Sequence, residues 1–207
     1  MHSTIIPPQA ILFDIGNVLL NFDFNRAAQA MAEHSDMPMQ QIRATLDGWQ
    51  HRHETGAASS GEFSVAVRNA IGFQATEAVF REHFTDIFTP NVPMWEYARK
   101  LFGKVPVYLF SNISAWHEAW VFENYPEFSQ FDGGFFSWRM GVMKPDPEFY
   151  RQAMVSLPFE PAQIAYMDDM PLNVAGGLDA GFQTLQYDAG RHEDFLAAAG
   201  HWIPKPD

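Results

Sequence analysis

The stretch Ala10-Ile11-Leu12-Phe13-Asp14-Ile15-Gly16 decides the fold. Its four leading apolar residues predict a short strand buried on both faces, and Asp14 and Gly16 predict the turn that follows it. Similar runs occur at residues 105–110, 163–167 and 182–187, and helical patterns separate them. Buried strands that alternate with helices are typical of a parallel sheet with right-handed crossovers. We therefore expect an α/β fold with a doubly wound, Rossmann-like parallel sheet.

The segment after the first strand interrupts this alternation. Residues 25–88 contain no convincing buried strand but several amphipathic helix patterns. In the clearest of them, one stripe carries Phe63, Ala66, Val67, Ala70 and Ile71. We expect a core formed by residues 1–15 and 89–207, and an insert over residues 16–88 that consists of a short flap and an α-helical cap.

Composition and charge exclude several classes of function. The 207 residues carry a formal net charge of −12, whereas nucleic-acid binding needs clustered Lys and Arg, so nucleic acid is not an expected partner. The chain has no cysteine, which excludes disulfides and thiol chemistry. We read no signal peptide and no stretch near the roughly 18 apolar residues of a membrane span. The expectation is a cytoplasmic protein without a membrane partner, and no pattern indicates its oligomeric state.

Polar residues stand at the ends of three predicted strands. They are Asp14, Ser111-Asn112 and Asp168-Asp169. In open parallel sheets, ligands bind beyond the carboxyl ends of the strands. Lys144 precedes a proline-rich segment that leads into a helix. A carboxylate nucleophile, a hydroxyl, a cation and a carboxylate pair are the groups that phosphoryl transfer needs.

These residues resemble, in order and spacing, the four motifs of the haloacid dehalogenase (HAD) superfamily. The motifs are Phe13-Asp14-Ile15-Gly16-Asn17-Val18, Phe110-Ser111-Asn112, Lys144-Pro145, and Asp168-Asp169 followed by Asn173. The chain is also similar to bacterial glucose-1-phosphatase-like enzymes at Asp23-Phe24-Asn25-Arg26, His53-Glu54-Thr55-Gly56 and Tyr125-Pro126-Glu127. The resemblance implies a magnesium-dependent hydrolase of subfamily I. Its partner would be a small phosphorylated metabolite, and sugar phosphates such as hexose-1-phosphate are favoured.

The resemblance assigns a nucleophile and a metal site. Asp14 would attack phosphorus and form an aspartyl-phosphate. Mg²⁺ would be bound by Asp14, by the backbone carbonyl of Gly16 and by Asp169, with Asp168 bound directly or through water. Asn173 would support the metal carboxylates from behind.

The resemblance also assigns the residues that hold the phosphoryl group. Ser111 and the backbone N–H of Asn112 would bind its oxygens. Lys144 would neutralise both Asp14 and the phosphate, and it counts with Asp14 and Ser111 among the catalytic residues.

Position 16 departs from the usual pattern of phosphatases in this superfamily. They carry a second aspartate there as the general acid, and this chain has Gly16. Protonation of a poor leaving group is worth about 10²–10⁴-fold in rate. Another residue supplies the proton, or the leaving group is good, or the reaction is not ester hydrolysis; Asp23 and His117 are candidate donors. The glucose-1-phosphatase-like enzymes share the Asp-x-Gly-Asn pattern, which implies that activity survives the loss.

Two other functions use the same residues. A 2-haloacid dehalogenase would use Asp14 on carbon, and halide departs without a proton. That chemistry does not require magnesium, which would leave Asp168 and Asp169 without a clear purpose. A non-catalytic metabolite-binding protein would not need a nucleophile beside a phosphate. Magnesium dependence together with turnover separates the three.

Overall fold

Strands and helices alternate along residues 7–204, the part of the chain that the computed structural model describes. The strands are β1 (Ala10–Phe13), β2 (Leu20–Phe22), β3 (Phe88–Pro90), β4 (Val107–Ser111), β5 (Gly134–Phe136), β6 (Ile164–Asp168) and β7 (Gln183–Gln186). The helices are α1 (Phe24–Ala32), α2 (Met39–Glu54), α3 (Ser60–Ala70), α4 (Glu77–Thr85), α5 (Val92–Arg99), α6 (Ala115–Asn124), α7 (Ser137–Met140), α8 (Pro147–Ser156), α9 (Pro171–Asp179) and α10 (His192–Ala199). Within this part of the chain, every helix is too short or too polar to cross a membrane.

Five strands form one parallel sheet in the order β5-β4-β1-β6-β7. The central strand, β1, pairs with β4 on one side and with β6 on the other, so that Phe13 lies opposite Leu109 and Met167. The predicted α/β fold with a parallel sheet is confirmed. Four of the five strands overlap the predicted apolar runs, and β5 is an addition at the edge.

Helices cover both faces of this sheet, which explains why its strands read as continuous apolar runs. Successive side chains of β1 point to opposite faces. Phe13 packs on one face against Tyr97 of α5, with 6.3 Å between ring centroids. Leu12 belongs to the core of the other face, together with Phe149 and Tyr150 of α8.

The segment after β1 is helical, as expected, except for one antiparallel pair of strands at its ends. Strands β2 and β3 pair through Phe22 and Phe88, which brings the two ends of the segment together. Between them, α1 to α4 pack around aromatic side chains, and the ring centroids of Phe63 and Phe84 lie 4.7 Å apart. The exact boundaries of core and cap stay a prediction.

The end of α2 rests on the core at α7. The hydroxyl of Ser137 donates a hydrogen bond of 2.5 Å to the backbone oxygen of Glu54. Gly56 has a φ of 70°, and a Cβ at this position would lie 2.4 Å from the carbonyl oxygen of Trp138. Only glycine allows so close an approach of backbone to backbone in this conformation. The last turn of α2 is thereby fixed next to the carboxyl ends of β4 and β5.

Candidate active site

The carboxyl ends of β1, β4 and β6 border a cavity of about 330 Å³. The strand order reverses on the two sides of β1, and ligands of open α/β sheets bind at such a point. Seven of the eight predicted site residues line this cavity: Asp14, Gly16, Ser111, Asn112, Lys144, Asp169 and Asn173. The eighth, Asp168, is completely buried behind them. The structure thus brings the predicted residues together, while their roles stay predictions.

Lys144 links the ends of three strands, β1, β4 and β6. Its Nζ lies 3.0 Å from Asp14 Oδ1 and 2.5 Å from Asp168 Oδ2, and it donates a hydrogen bond of 2.6 Å to the carbonyl oxygen of Phe110. Burial alone would lower the pKa of Lys144, but the two carboxylates outweigh burial and raise it. The lysine is therefore a fixed positive charge beside Asp14.

Asp168 accepts hydrogen bonds on both of its carboxylate oxygens. Oδ2 receives Lys144 Nζ and the hydroxyl of Tyr166, each at 2.5 Å. Oδ1 receives the backbone N–H of Met170 and the side-chain Nδ2 of Asn173, each at 2.9 Å. A carboxylate offers about four acceptor positions, so these donors occupy all of them. This geometry suits a residue that positions its neighbours better than one that ligates a metal directly.

Asp14, Asp168 and Asp169 form a carboxylate cluster that can hold a metal ion. One oxygen from each lies within 4.8 Å of the others, and Asn17 Nδ2 orients Asp169 by donating to Oδ2 at 3.0 Å. The three carboxylates of this cluster are balanced by one positive charge, that of Lys144. Burial, with help from the other two carboxylates, raises the pKa of Asp14 to about 7 although Lys144 opposes the shift. A divalent cation would compensate this excess negative charge, and carboxylate oxygens suit Mg²⁺.

The end of β4 offers donors for an anion. The buried hydroxyl of Ser111 lies 3.5 Å from the carbonyl oxygen of Asn112, which is too long for a strong hydrogen bond, so the hydroxyl can turn towards a ligand. The Asn112 side chain forms two hydrogen bonds of 2.8 Å with the backbone of Lys144. The side-chain amide of Asn112 therefore has a structural role. Its backbone N–H is the group that fits the predicted contact with a phosphoryl oxygen.

Comparisons with known proteins agree with this geometry. No family model matches the chain. A D-ribitol-5-phosphate phosphatase of Bacteroides thetaiotaomicron is 25% identical over 87% of this chain and 92% of its own. The sesquiterpene phosphatase astK of Aspergillus oryzae is 29% identical over 86% of this chain and 88% of its own. A HAD family enzyme from B. thetaiotaomicron, solved with magnesium and inorganic phosphate, superposes with a TM-score of 0.80 at 24% identity, over 89% of this chain and 96% of that one. This chain is a hydrolase similar to known phosphatases, and its fold is that of HAD family enzymes.

An aromatic ring fills the space beside Gly16 in this hydrolase. A Cβ on residue 16 would lie 2.8 Å from Cε1 of Phe22 and 3.9 Å from Oδ2 of Asp14. A side chain at position 16 would thus point towards the nucleophile, but only after the Phe22 ring had moved. The place where related phosphatases would carry their acid is apolar here.

The two proton donors considered from the sequence lie in unsuitable places. Asp23 caps the start of α1 by accepting from the backbone N–H of Asn25, and it does not line the cavity. His117 does line the cavity, but its Nε2 donates to the carbonyl oxygen of Phe84 at 3.0 Å. Burial lowers the pKa of His117 to about 4, so the ring is neutral near pH 7.

Sequence reasoning missed the wall of the cavity that faces Asp14. That wall comes from β2, β3 and the helical segment, and it includes Phe22, Phe24, Gln50, Glu54, Ile87 and Phe88. Glu54 is its buried acidic residue, with 6% of its surface exposed. The sequence signal for Glu54 was its place in the His53-Glu54-Thr55-Gly56 motif, which carried no role of its own.

Proposed function

We propose that this protein hydrolyses small phosphomonoesters with Mg²⁺ as cofactor, through an aspartyl-phosphate on Asp14. The observation that carries the proposal is the arrangement at the carboxyl ends of the strands. Asp14 lies 3.0 Å from a buried lysine, within a carboxylate cluster, at the bottom of a cavity. The two relatives described above are phosphatases, which supports the same chemistry.

Asp14, the carbonyl oxygen of Gly16 and Asp169 would hold the cation directly. Asp168 would contact it through water, because donors from the protein already occupy its four acceptor positions. When bound, the cation polarises the phosphoryl oxygens and offsets the charge that develops during transfer. Asn17 keeps the carboxylate of Asp169 in place, and Asn173 does the same for Asp168.

The protein side chains would then act in two steps. A carboxylate oxygen of Asp14 attacks phosphorus while Ser111, the N–H of Asn112 and Lys144 hold the phosphoryl oxygens. The bond between phosphorus and the ester oxygen breaks, and the alcohol leaves. Water then attacks the phosphorus of the aspartyl-phosphate, which releases phosphate and regenerates Asp14.

The preference for sugar phosphates such as hexose-1-phosphate stays a prediction. The ribitol-phosphate phosphatase among the relatives supports a polar ester of this kind. The polar residues Asp14, Asn17, Ser111, Asn112, Lys144, Asp169 and Asn173 stand at the phosphoryl end of the cavity. The hydroxyl groups of a polyol could form hydrogen bonds with Gln50, Glu54 and His117 on the remaining wall of the cavity.

A second substrate class, phosphate esters of apolar alcohols, is favoured by the mouth of the cavity. Phe22, Met170 and Leu172 line the cavity and are 36%, 50% and 67% exposed. Large apolar side chains exposed around one opening are typical of a site for an apolar ligand. The sesquiterpene phosphatase among the relatives supports this class.

The first test is phosphate release from glucose-1-phosphate, ribitol-5-phosphate, farnesyl phosphate and p-nitrophenyl phosphate, with and without Mg²⁺. We expect release that requires Mg²⁺ and falls by about 10³-fold or more in Asp14→Asn. Asp179→Asn, at the exposed end of α9, is the matched control and should retain full activity. A rapidly quenched reaction should carry one phosphoryl group on the peptide that contains Asp14.

No magnesium-dependent release from any of the four esters would overturn the proposal. Release of halide from 2-haloacids would then establish the dehalogenase. Binding of phosphate esters without turnover would establish a metabolite-binding protein.

A further inference from the structure

Glu54, the last residue of α2, is a buried acid that faces the nucleophile. It lines the same cavity as Asp14 and Lys144, and its surface is 6% exposed. Position 16, from which related phosphatases deliver the proton, carries no side chain. We propose that Glu54 donates the proton to the leaving oxygen, in place of an acid at position 16. This proposal rests on the proposed phosphatase function and adds a residue to it.

Glu54 has no ion-pair partner among the described residues, although it is buried. Its carboxylate accepts a hydrogen bond from Nε2 of Gln50, which lies 3.1 Å from Oε1. The nearby cation, Lys144, is already paired with Asp14 and Asp168. An unpaired buried carboxylate is costly, so the neutral acid is the stable form.

The charges that face Glu54 agree with a proton donor. Burial raises the pKa of Glu54 to about 8; the negative charge of Asp14 adds to the shift, and Gln50 and Lys144 oppose it. The same cavity also holds Asp169 and His117, and the small adjoining cavity is bordered by Asp47 and His53. His53 and His117 have pKa values lowered by burial to about 3 and 4, so they add no positive charge near pH 7. Glu54 therefore holds its proton at neutral pH.

The position of Glu54 is tied to the phosphate-binding end of the site. Its backbone oxygen accepts from Ser137 Oγ, and the same Oγ accepts from the backbone N–H of Ile113 at 2.9 Å. Ile113 follows Ser111 and Asn112 directly. One hydroxyl thus connects the acid with the loop that we expect to hold the phosphoryl group, which fixes the two relative to each other.

The proton balances over the two steps of the reaction. As Asp14 bonds to phosphorus, the ester P–O bond breaks and the oxygen takes the proton of the Glu54 carboxyl, so that a neutral alcohol leaves. The Glu54 carboxylate then accepts a proton from the water that attacks the aspartyl-phosphate. At the end, Asp14 is a free carboxylate and Glu54 is again protonated.

The test compares Glu54→Gln with the wild type on a poor and a good leaving group. With glucose-1-phosphate or farnesyl phosphate, we expect kcat to fall about 10²–10⁴-fold. With p-nitrophenyl phosphate, whose phenolate leaves without a proton, the loss should stay below about tenfold. Glu82→Gln, an exposed glutamate on α4, is the control and should behave as the wild type on both esters.

The pH profile provides a readout that a purely structural role would not change. Wild-type turnover of the poor-leaving-group ester should fall as the pH rises above about 8, because Glu54 loses its proton. This limb should be absent from Glu54→Gln. If that variant does not fold, the wild-type enzyme is tested with a series of phenyl phosphates. When the enzyme protonates the leaving oxygen, the rate should depend only weakly on the acidity of the phenol.

Equal losses on both esters, or a steep dependence on phenol acidity in the wild type, would overturn the role of Glu54. Absence of phosphate release by the wild type from every ester is a different result. It would overturn the proposed function itself.

Discussion

Asp168 holds three parts of the chain in register although it does not line the cavity. Its four hydrogen bonds reach Lys144, Tyr166 of its own strand, and Met170 and Asn173 at the start of α9. The side chain is completely buried, and its bonds with Lys144, Tyr166 and Asn173 form away from water. Asp168 thereby positions Lys144 and Asn173, while its contact with the metal, direct or through water, stays a prediction.

Lys144→Met tests how much the buried charges contribute to stability. The substitution leaves Asp14 and Asp168 without their cation, and breaking a buried pair in this way costs about 3–5 kcal/mol. We expect a clearly lower Tm without metal, and a larger rise in Tm on adding Mg²⁺ than the wild type shows, because the ion replaces the lost charge.

Lys104→Met, at an exposed position, is the control for the loss of a lysine. Thermal unfolding followed by circular dichroism, with and without Mg²⁺, measures both variants. A Tm equal to that of the wild type in Lys144→Met would contradict the central position we give to this lysine.

At the scale of elements, the docking of α2 on α7 determines where Glu54 lies. Gly56 follows two residues after Glu54, with a φ of 70° and the carbonyl oxygen of Trp138 against its Cα. An added methyl group has no room there, and a non-glycine residue is strained at that φ. Gly56→Ala should lower the free energy of unfolding by more than about 1 kcal/mol and reduce turnover of esters with poor leaving groups.

Gly48→Ala, inside α2, is the control for Gly56→Ala. A Cβ at Gly48 would meet nothing within 4 Å, and alanine is favoured over glycine in a helix interior by about 1 kcal/mol. We expect Gly48→Ala to be slightly more stable than the wild type in urea and equally active. Equal behaviour of the two alanine variants would show that the contact with Trp138 does not position α2.

The elements that the sequence predicted are those with long local patterns. Strands β1, β4, β6 and β7 coincide with apolar runs, because burial on both faces imposes a continuous signal. Strands β2, β3 and β5 have three residues each and were missed, since three residues cannot show a period.

Local sequence patterns also determine which site residues could be predicted. Asp14, Ser111 and Asp169 stand at strand ends, and a parallel sheet places such ends side by side whatever the rest of the chain does. Glu54 stands at the end of a helix whose direction depends on Ser137 and Trp138, more than 80 residues away in sequence. No local pattern encodes that contact.

For the molecule as a whole, the apolar side chains that line the cavity should influence which esters it hydrolyses. Leu172 and Leu178 lie on the same helix and are 67% and 63% exposed, but only Leu172 lines the cavity. Leu172→Ser should lower kcat/KM for farnesyl phosphate about tenfold, because covering one leucine is worth roughly 1.5 kcal/mol or more. Leu178→Ser should leave it unchanged.

Both leucine variants should hydrolyse p-nitrophenyl phosphate at the wild-type rate, since its ring is small and the chemical groups are untouched. A steady-state comparison of the two esters measures the difference. If Leu172→Ser loses nothing on farnesyl phosphate, while sugar phosphates are hydrolysed well, the mouth of the cavity does not select apolar esters.

The pairing of β2 with β3 has a consequence for how this molecule can diversify. The helical segment leaves and re-enters the core through two adjacent strands, so it behaves as a loop whose ends are already closed. Its helices can be lengthened, shortened or exchanged without disturbing the order of the sheet. Phe22 and Glu54 both belong to this segment. A chimaera that receives another helical segment would therefore change two properties together: the side chains that contact the alcohol and the residue that protonates it. Asp14 and Lys144 would stay in place.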